Sequence, residues 1–375
     1  MSDGILVAQS LRQLVETGGI QALLPVRPGQ IQPSSLDLRL GARVWQLRCS
    51  FLPGATGVDR KLGRLATASH RLDRDEPLVL HRGGVYLAEV EEVLELPPGI
   101  RGRGNPKSST GRLDVFVRLL TETGDAFDTV PEGYRGRLYL EITPQSFHVA
   151  VRRGDCLGQL RLSRGRPALG ADALRDWQAR SPVCRWSDGT PAPVSDDGPP
   201  SVLLSVDLAP TSGPSGYLAR RHTPPIDLHQ RDLPVDPYWV PMPAARYDGH
   251  VLEPEQFYIF ATRETLCLPP ELCAELVAFD ATKGELRTHY AGFIDSGFGW
   301  HPSVGTAGAS ETVGARLVLE IRTHDVPFLL EHGQPLFRVE LMRNEAVPDI
   351  VYGAAGSHYQ MQGLRLAKQF APAAG

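Results

Sequence analysis

The chain of 375 residues contains the same sequence blocks twice, in the same order. The repeated blocks are SLDL at 35–38 and SVDL at 205–208, Tyr86 with Pro97 and Pro98 and Tyr258 with Pro269 and Pro270, and LYLEI at 138–142 and LVLEI at 317–321. The offset between the copies grows from 170 to 179 residues. A repeat of this length, in register at three points, predicts two similar folded units joined in tandem.

The repeat and the composition between its copies set the expected domain boundaries. We expect a first domain over residues 1–165, a linker over 166–200 that ends in the Pro/Gly/Asp-rich run TPAPVSDDGPP, and a second domain over 201–375. The first and second domains are called the first half and the second half below. The growing offset predicts an insertion in the second half, and the small-residue segment 300–314 is its natural place.

Short β-rich runs bounded by turn residues dominate both halves. Residues 85–90 (VYLAEV) and 257–261 (FYIFA) are of this kind. With 38 Gly and 32 Pro separating such runs, the sequence predicts a mainly β fold, a sandwich or barrel with few helices. The two expected helices are short, at 8–16 and 171–179.

Charge, hydropathy and cysteine usage exclude several classes of protein. A net charge of −4 disfavours a nucleic-acid binder, since such proteins need a basic surface. No apolar run approaches the ~20 residues that span a bilayer, and no secretory signal is recognisable, so a cytoplasmic protein without membrane contact is expected. The five cysteines form no C-x-x-C pair, which argues against a disulfide framework and a cysteine-rich zinc site.

Residues 102–112 (GRGNPKSSTGR) form a glycine-rich segment with cations and hydroxyls close together. Such a loop offers amide N–H groups, hydroxyls and an arginine fork to a polyphosphate. The Walker A pattern G-x-x-x-x-G-K-[ST] is absent, so this is not a P-loop. The alternative is a polar surface turn with no ligand.

Within this segment, residues 107–112 (KSSTGR) resemble the phosphate-binding R-S-S-x-x-R motif of dCTP deaminases and the shorter R-S-G motif of trimeric dUTPases. Upstream, residues 32–41 (QPSSLDLRLG) are similar to the D-L-R-L-G strand of the same superfamily. The resemblance implies two dUTPase-like domains of the distorted jelly-roll or β-clip type. Lys107 stands where single-domain deaminases carry arginine, which preserves the charge and loses the bidentate geometry.

Residues 289–299 (HYAGFIDSGFG) resemble the nucleoside-binding hairpin of the superfamily, A-G-x-I-D-x-x-[YF] in dUTPases. The resemblance implies that the backbone of this hairpin pairs with the base edge and that an aromatic residue packs on the sugar. His289, Ala291 through its carbonyl, Gly292 and Asp295 are the residues expected to frame the nucleoside. The alternative is an ordinary β-hairpin with a Ser-Gly turn.

One glutamate stands in each copy of the L-x-L-E-I strand, Glu141 and Glu320. A carboxylate within a buried strand is costly unless it is paired or functional. In dCTP deaminases the matching glutamate takes a proton from the attacking water and returns it to the leaving amine. The alternative, a salt bridge to an arginine, is expected for one of the two copies.

The C-terminal residues 357–363 (SHYQMQG) resemble the Y-Q-x-Q-G tail that folds over the triphosphate in this family. The resemblance assigns substrate contacts to Tyr359, Gln360 and Gln362, with Tyr359 and Gln362 closing the lid. Family tails of this kind order when nucleotide binds. A polar tail without a ligand is the alternative.

The two copies differ in a complementary way. At the offset of 172, the second half carries Phe279, Asp280 and Ala281 in place of the phosphate residues, whereas it has the cleaner hairpin and the tail. We therefore predict one composite site with Glu320 as proton shuttle; Glu141 is the alternative shuttle. The phosphate residues and water-orienting groups of this site are expected to be Lys107, Ser108, Ser109 and Arg112.

The resemblance spans nearly the whole chain and is to the long, two-domain form of bacterial dCTP deaminase. It implies hydrolysis of dCTP to dUTP and ammonia, supplying dUTP for dUMP and dTTP synthesis, with Mg²⁺ carried by the triphosphate and no zinc, because the H-x-E and P-C-x-x-C elements of zinc deaminases are absent. A homo-oligomer such as a trimer is expected, and dTTP is a candidate inhibitor. The alternatives are a dUTPase or bifunctional enzyme, to which Asp295 would supply the carboxylate, and a nucleotide-binding protein without activity.

Overall fold

The computed structural model of the chain describes residues 3–195, 198–278, 286–288, 292–300, 314–323, 325–354 and 359–372. The elements up to residue 165 are β1 (Gly4–Ile5), α1 (Ala8–Glu16), β2 (Ile20–Ala22), a 3-10 helix (Pro28–Gln30), β3 (Leu36–Leu47), α2 (Gly57–Leu65), β4 (Ala66–Arg71), β5 (Leu78–Leu80), β6 (Val85–Glu95), β7 (Ile100–Pro106), α3 (Ser108–Gly111), β8 (Val115–Thr121), β9 (Thr129–Val130), β10 (Arg135–Pro144), β11 (Val149–Val151) and β12 (Cys156–Arg164). The later elements are α4 (Ala171–Arg180), β13 (Cys184–Arg185), β14 (Val194–Ser195), β15 (Ser201–Ser205), β16 (Gly216–Ala219), β17 (Ile226–Asp227), β18 (Trp239–Met242), β19 (His250–Leu252), β20 (Phe257–Leu266), β21 (Leu272–Ala278), β22 (Leu286–Thr288), β23 (Phe293–Ile294), β24 (Ala315–Thr323), β25 (Phe328–Leu330) and β26 (Pro335–Arg343). The fold is mainly β, as predicted.

Strand pairing repeats in the two halves. β10 pairs antiparallel with β6 and sets Glu141 opposite Leu87, and β24 pairs antiparallel with β20 and sets Glu320 opposite Ile259. β12 lies between β3 and β7 in the first half, and β26 lies between β15 and β21 in the second. The strands that carry the repeated blocks therefore pair in the same way in the two halves. Of the predicted insertion at 300–314, residues 301–313 lie outside the described residues.

The two predicted helices are present. α1 covers residues 8–16 as expected and buries Leu11 and Leu14, which lie three positions apart on one face. α4 begins at residue 171 as expected and ends one residue later, at Arg180. α2 and α3 were not predicted, since both are short and α3 is a single turn. No helix in the described part of the chain is long and apolar enough to cross a membrane.

The segment 166–200, predicted as a linker, is folded against the second half. Leu174 on α4, Val183 and Cys184 are buried in the same apolar cluster as Phe260 and Phe337 of the second half. β13 pairs with β20, and β14 pairs with β15. The apolar side chains explain the difference, because burying them stabilises a docked segment more than a solvated one.

The core of the first half also receives side chains from the second half. Trp239 on β18 is fully buried there. Its ring centroid lies 5.3 Å from that of Phe147, in the turn between β10 and β11, and 5.9 Å from that of Phe370. Phe257 on β20 belongs to the same cluster, 6.0 Å from Trp239. Aromatic rings at these distances add edge-to-face attraction to the burial of apolar area. The two halves therefore share a core.

Two buried arginines bind carboxylates across the boundary between the halves. Arg161 on β12 donates to the Ala274 carbonyl at 2.8 Å and to Asp295 at 3.1 Å. Arg322 on β24 pairs with Asp114, which follows α3, and their side chains are 8% and 0% exposed. Arg322 also donates to the Glu255 carbonyl at 2.6 Å. The pair between Arg322 and Asp114 joins β24 to the segment that follows α3.

We expect Asp114→Asn to lower the free energy of unfolding by about 3–5 kcal/mol, because Arg322 keeps a buried charge and loses the carboxylate that balances it. Urea unfolding followed by tryptophan fluorescence measures the change. Asp172→Asn is the matched control: it removes the carboxylate that pairs with Arg175 on the solvent face of α4, where Asp172 is fully exposed. That control should leave stability nearly unchanged, and equal losses in the two variants would contradict the role given to Asp114.

Candidate active site

A cavity of about 680 Å³ lies between the two halves. Its volume is in the range of small-molecule sites. The polar and charged lining residues that the sequence analysis had selected come from both halves: Lys107, Ser108, Ser109, Arg112, Asp295, Glu320, Tyr359 and Gln362. The structure thus brings these eight of the predicted site residues together in one cavity.

The phosphate segment is shaped by the end of β7 and the single turn of α3. Pro106 is the last residue of β7, and Lys107 has an extended backbone (φ −75°, ψ 148°) that precedes the turn. The amide N–H groups of Thr110 and Gly111 donate to the Lys107 carbonyl at 2.8 and 3.0 Å. Ser108 and Ser109 therefore stand at the start of the turn, and both line the cavity.

Lys107 forms an ion pair with Asp37 on β3. Both residues line the cavity. Burial raises the pKa of Asp37, and the Lys107 ammonium beside it acts in the opposite direction. The two motifs that carry the family resemblance, KSSTGR and DLRLG, are thus joined in space by this pair.

Arg112 is buried and its terminal amino groups bind the C-terminal tail. Nη1 donates to the Arg365 carbonyl at 2.9 Å, and Nη2 donates to Oε1 of Gln362 at 3.1 Å. The guanidinium lies 3.9 Å from the ring centroid of Tyr359, a cation–π contact. Burial lowers the pKa of Arg112, whereas the nearby Tyr359 and Glu320 raise it. Arg112 therefore organises the tail in this structure.

The side chains of Tyr359 and Gln362 line the cavity, whereas that of Gln360 does not. The Tyr359 hydroxyl lies 2.9 Å from the Ser109 hydroxyl, and the Gln362 amide donates to the Arg316 carbonyl at 3.2 Å. Gln360, also predicted to contact substrate, is not among the described residues that line the cavity. Its side chain accepts from the Gly299 N–H at 2.9 Å and donates to the Gly297 carbonyl at 2.9 Å. Gln360 thus attaches the tail to the turn at residues 297–299, which follows β23.

Glu320 is almost fully buried in the wall of the cavity, against α3. A Cβ atom on Gly111 would lie 2.3 Å from Oε2 of Glu320, far inside van der Waals contact. Only glycine at position 111 lets the carboxylate from β24 approach the phosphate turn so closely. The local sequence around Gly111 gives no sign that glycine is required there, because the requirement comes from Glu320, 209 positions away.

Glu141 occupies the equivalent strand position but does not line the cavity. It is buried in the first half, two positions after Tyr139 on β10 and beside Ser50. The Ser50 hydroxyl donates to Oε1 at 3.0 Å, and Oε2 has no hydrogen-bond partner among the described residues. Burial raises the pKa of Glu141.

The hairpin reaches the first half through polar contacts. The Gly292 N–H donates to the Asn105 side chain on β7 at 2.5 Å. Asp295 accepts from Ser34 at 2.7 Å, from Ser35 at 3.1 Å and from Arg161, so both its oxygens bind groups of the first half. His289 and Ala291 lie outside the described residues.

Lys368 is a cavity residue that the sequence analysis missed. It is one of only four lysines in a chain whose other cations are arginines, and Lys107 of the same cavity is another. The rarity of lysine in this chain is the one sequence feature that sets Lys368 apart. Among the described residues, no group of three or more His, Cys, Asp or Glu side chains is arranged to hold a metal ion.

Comparisons with known proteins agree with this geometry. The family model for the 2′-deoxycytidine 5′-triphosphate deaminase N-terminal domain matches residues 2–166, and the model for the C-terminal domain of the same family matches residues 171–370. The crystal structure of 2′-deoxycytidine 5′-triphosphate deaminase from Agrobacterium tumefaciens superposes with a TM-score of 0.82 and 36% sequence identity, over 92% of this chain and 100% of that one.

Curated relatives are similar over a smaller part of the chain. A dCTP deaminase, dUMP-forming, of Methanoculleus marisnigri is 35% identical over 158 residues, which are 42% of this chain and 78% of the relative. A dCTP deaminase of Halorubrum lacusprofundi is 31% identical over 116 residues, 30% of this chain and 53% of the relative. With both halves matched by the two domains of one family and the whole fold shared with a solved member, the chain belongs to the 2′-deoxycytidine 5′-triphosphate deaminase family.

Proposed function

We propose that the cavity between the halves hydrolyses dCTP to dUTP and ammonia, with Glu320 as the proton shuttle. The observation that carries the proposal is the approach of the Glu320 carboxylate to the turn that holds Ser108, Ser109 and Gly111. A general acid–base must lie within reach of the reacting atoms, and a phosphate-binding segment must hold the other end of the same substrate. Both kinds of residue line this one cavity.

The reaction balances with one water. Its oxygen adds to C4 of the cytosine ring, the bond between C4 and the exocyclic amine breaks, and C4 becomes the carbonyl of uracil. One proton of the water ends on ring N3 and the other on the departing amine, and Glu320 carries both. The Ser108 hydroxyl, at the start of α3, orients the water, and the carbonyl of Ala291 and the Gly292 backbone frame the base.

At the other end of the substrate, Lys107, Ser109 and Lys368 bind the triphosphate, which brings Mg²⁺ with it. Arg112 acts by holding Tyr359 and Gln362 over the cavity, as its hydrogen bonds to the tail support. A carboxylate route without zinc is supported by the sequence, which lacks both the H-x-E and the P-C-x-x-C elements of zinc deaminases.

A bifunctional enzyme that continues to dUMP is the second candidate. The name of the Methanoculleus marisnigri relative, dCTP deaminase, dUMP-forming, favours it. Asp295 lines the cavity and is the carboxylate that would activate water for attack on the triphosphate. Its two oxygens already accept hydrogen bonds from Ser34, Ser35 and Arg161, which leaves them less available to a water molecule.

The remaining expectations stay predictions. These are a homo-oligomer such as a trimer, inhibition by dTTP, a cytoplasmic location, and contacts of His289 and Gln360 with the substrate. For Gln360, the hydrogen bonds to the turn at residues 297–299 favour an indirect role.

The two glutamates provide a matched test. Glu320→Gln should lower kcat for ammonia release from dCTP by about 10²–10⁴-fold, because the amide cannot carry protons. Glu141→Gln should retain activity and folding: burial raises the pKa of Glu141, so its ionised form costs stability as pH rises through that pKa, and a neutral amide avoids this cost. The reverse pattern would assign catalysis to Glu141.

A methyl group at position 111 tests whether the Glu320 carboxylate must lie against the phosphate turn. Gly111→Ala places a Cβ atom where Oε2 of Glu320 lies, and we expect kcat to fall by about 10²-fold because the carboxylate is displaced by about 1 Å. Gly63→Ala on α2 is the control, since a Cβ there meets nothing within 4 Å. Full activity of Gly111→Ala, with its melting temperature unchanged, would refute the proposed site of Glu320.

Product analysis separates the two candidate functions. Purified protein with Mg²⁺ is incubated with dCTP and separately with dUTP, and ammonia and pyrophosphate are measured. Ammonia from dCTP without pyrophosphate is the result expected of a deaminase that stops at dUTP. Pyrophosphate from dUTP would establish the bifunctional enzyme, and no release from either nucleotide would leave a binding protein.

A further inference from the structure

A second, smaller cavity of about 140 Å³ adjoins the first. The two share Lys107, Ser109 and Lys368 in their walls, so these three residues border both cavities. The second half closes it with a loop that carries Leu228, His229 and Arg231. This loop, residues 226–231, is called the arginine loop below.

Positive charge is in excess around this smaller cavity. Lys107 is neutralised by Asp37. Asp155, the carboxylate of the smaller cavity, accepts from His229 at 2.7 Å and from the Arg152 N–H at 2.7 Å. Lys368 and Arg231 form no ion pair with any described residue.

The two cations without an ion pair, Lys368 and Arg231, line the smaller cavity together with Lys107. Burial, and then the charges of Lys107 and Arg231, lower the pKa of Lys368. Arg231 is exposed, and its Nη1 donates to the carbonyls of Leu228 and Gln230 in its own loop, at 3.0 and 2.6 Å. Converging like charges destabilise a site unless an anion occupies it, and an arginine fork matches the oxygens of a phosphate group.

The arginine loop is fixed in place by contacts on two sides. β17 within it pairs in parallel with β11 of the first half, and Arg152 binds both oxygens of Asp227, at 2.6 and 2.8 Å. On the other side, the Gln369 amide donates to the Leu228 carbonyl at 3.1 Å. The loop and the tail residue Lys368 are thereby held together, so the cations are preorganised and little ordering is needed when an anion binds.

We propose that the smaller cavity binds the terminal phosphate of the nucleoside triphosphate and that Arg231 is a specificity-determining residue for triphosphate over diphosphate. The proposal rests on the proposed function, which puts the nucleotide's phosphates at Ser109 and Lys107. From there the chain of phosphates continues into the smaller cavity, where Lys368 and Arg231 meet its last, most highly charged group.

The test compares two nucleotides that differ by that one phosphate. Affinities for dCTP and dCDP are measured by titration calorimetry with Mg²⁺ in the Glu320→Gln background, which prevents turnover. Arg231→Met should weaken dCTP binding by about tenfold or more, the range of a lost charged hydrogen bond, and leave dCDP binding unchanged. Arg231→Lys should recover part of the preference, because charge returns without the fork.

Arg221→Met is the matched control, since it removes the same charge from an exposed residue that lines neither cavity. It should leave both affinities unchanged. Equal weakening of dCTP and dCDP by Arg231→Met, no weakening of either, or an equal effect of Arg221→Met would overturn the proposal. Failure of the proposed function is a separate result: wild-type protein would release no ammonia from dCTP, although the affinity ratio still depended on Arg231.

Discussion

Buried pairing of arginine with aspartate across the boundary between the halves is the interaction on which the site depends. Arg322 lies two residues after Glu320 on β24 and binds Asp114, which lies two residues after Arg112. Side chains two apart on a strand point to the same face. The pair that joins the halves therefore also sets the Glu320 carboxylate over Gly111, and a shift of β24 would separate the proposed shuttle from the phosphate turn.

Duplication left two equivalent strands, and their surroundings then diverged. Glu320 lines the cavity between the halves, whereas Glu141 is buried outside the cavity wall and accepts a hydrogen bond from Ser50. Because Glu141 does not line the cavity, the proposed reaction uses only one of the two equivalent glutamates. The shared aromatic core around Trp239 makes this division of roles durable, because neither half is complete alone.

The tail and the arginine loop give the cavity its charged end. Arg112 contacts the Tyr359 ring and donates to Gln362, and Gln369 joins the tail to the loop that carries Arg231. Cations that are held in position before a polyphosphate binds lose little conformational freedom on binding. Their electrostatic attraction for the phosphates is therefore offset by only a small ordering cost. Lys107, the departure from the family motif, forms an ion pair with Asp37, whereas Lys368 and Arg231, which lie outside the motif, form no ion pair with any described residue.

Patterns within a few residues determined much of this protein. The repeated blocks predicted strands that pair alike in the two halves, the two best helix candidates are present as α1 and α4, and residues of the KSSTGR, hairpin and tail motifs line one cavity. The sequence did not predict that residues 166–200 fold onto the second half, that Gln360 binds a turn, or that Lys368 and Arg231 converge, since each depends on contacts between distant residues. The two glutamates show the limit most clearly. Both stand in L-x-L-E-I, so local sequence cannot distinguish them. Only the tertiary structure decided which of them faces the cavity, because it places Glu320 in the cavity wall against Gly111 and Glu141 beside Ser50, away from that wall.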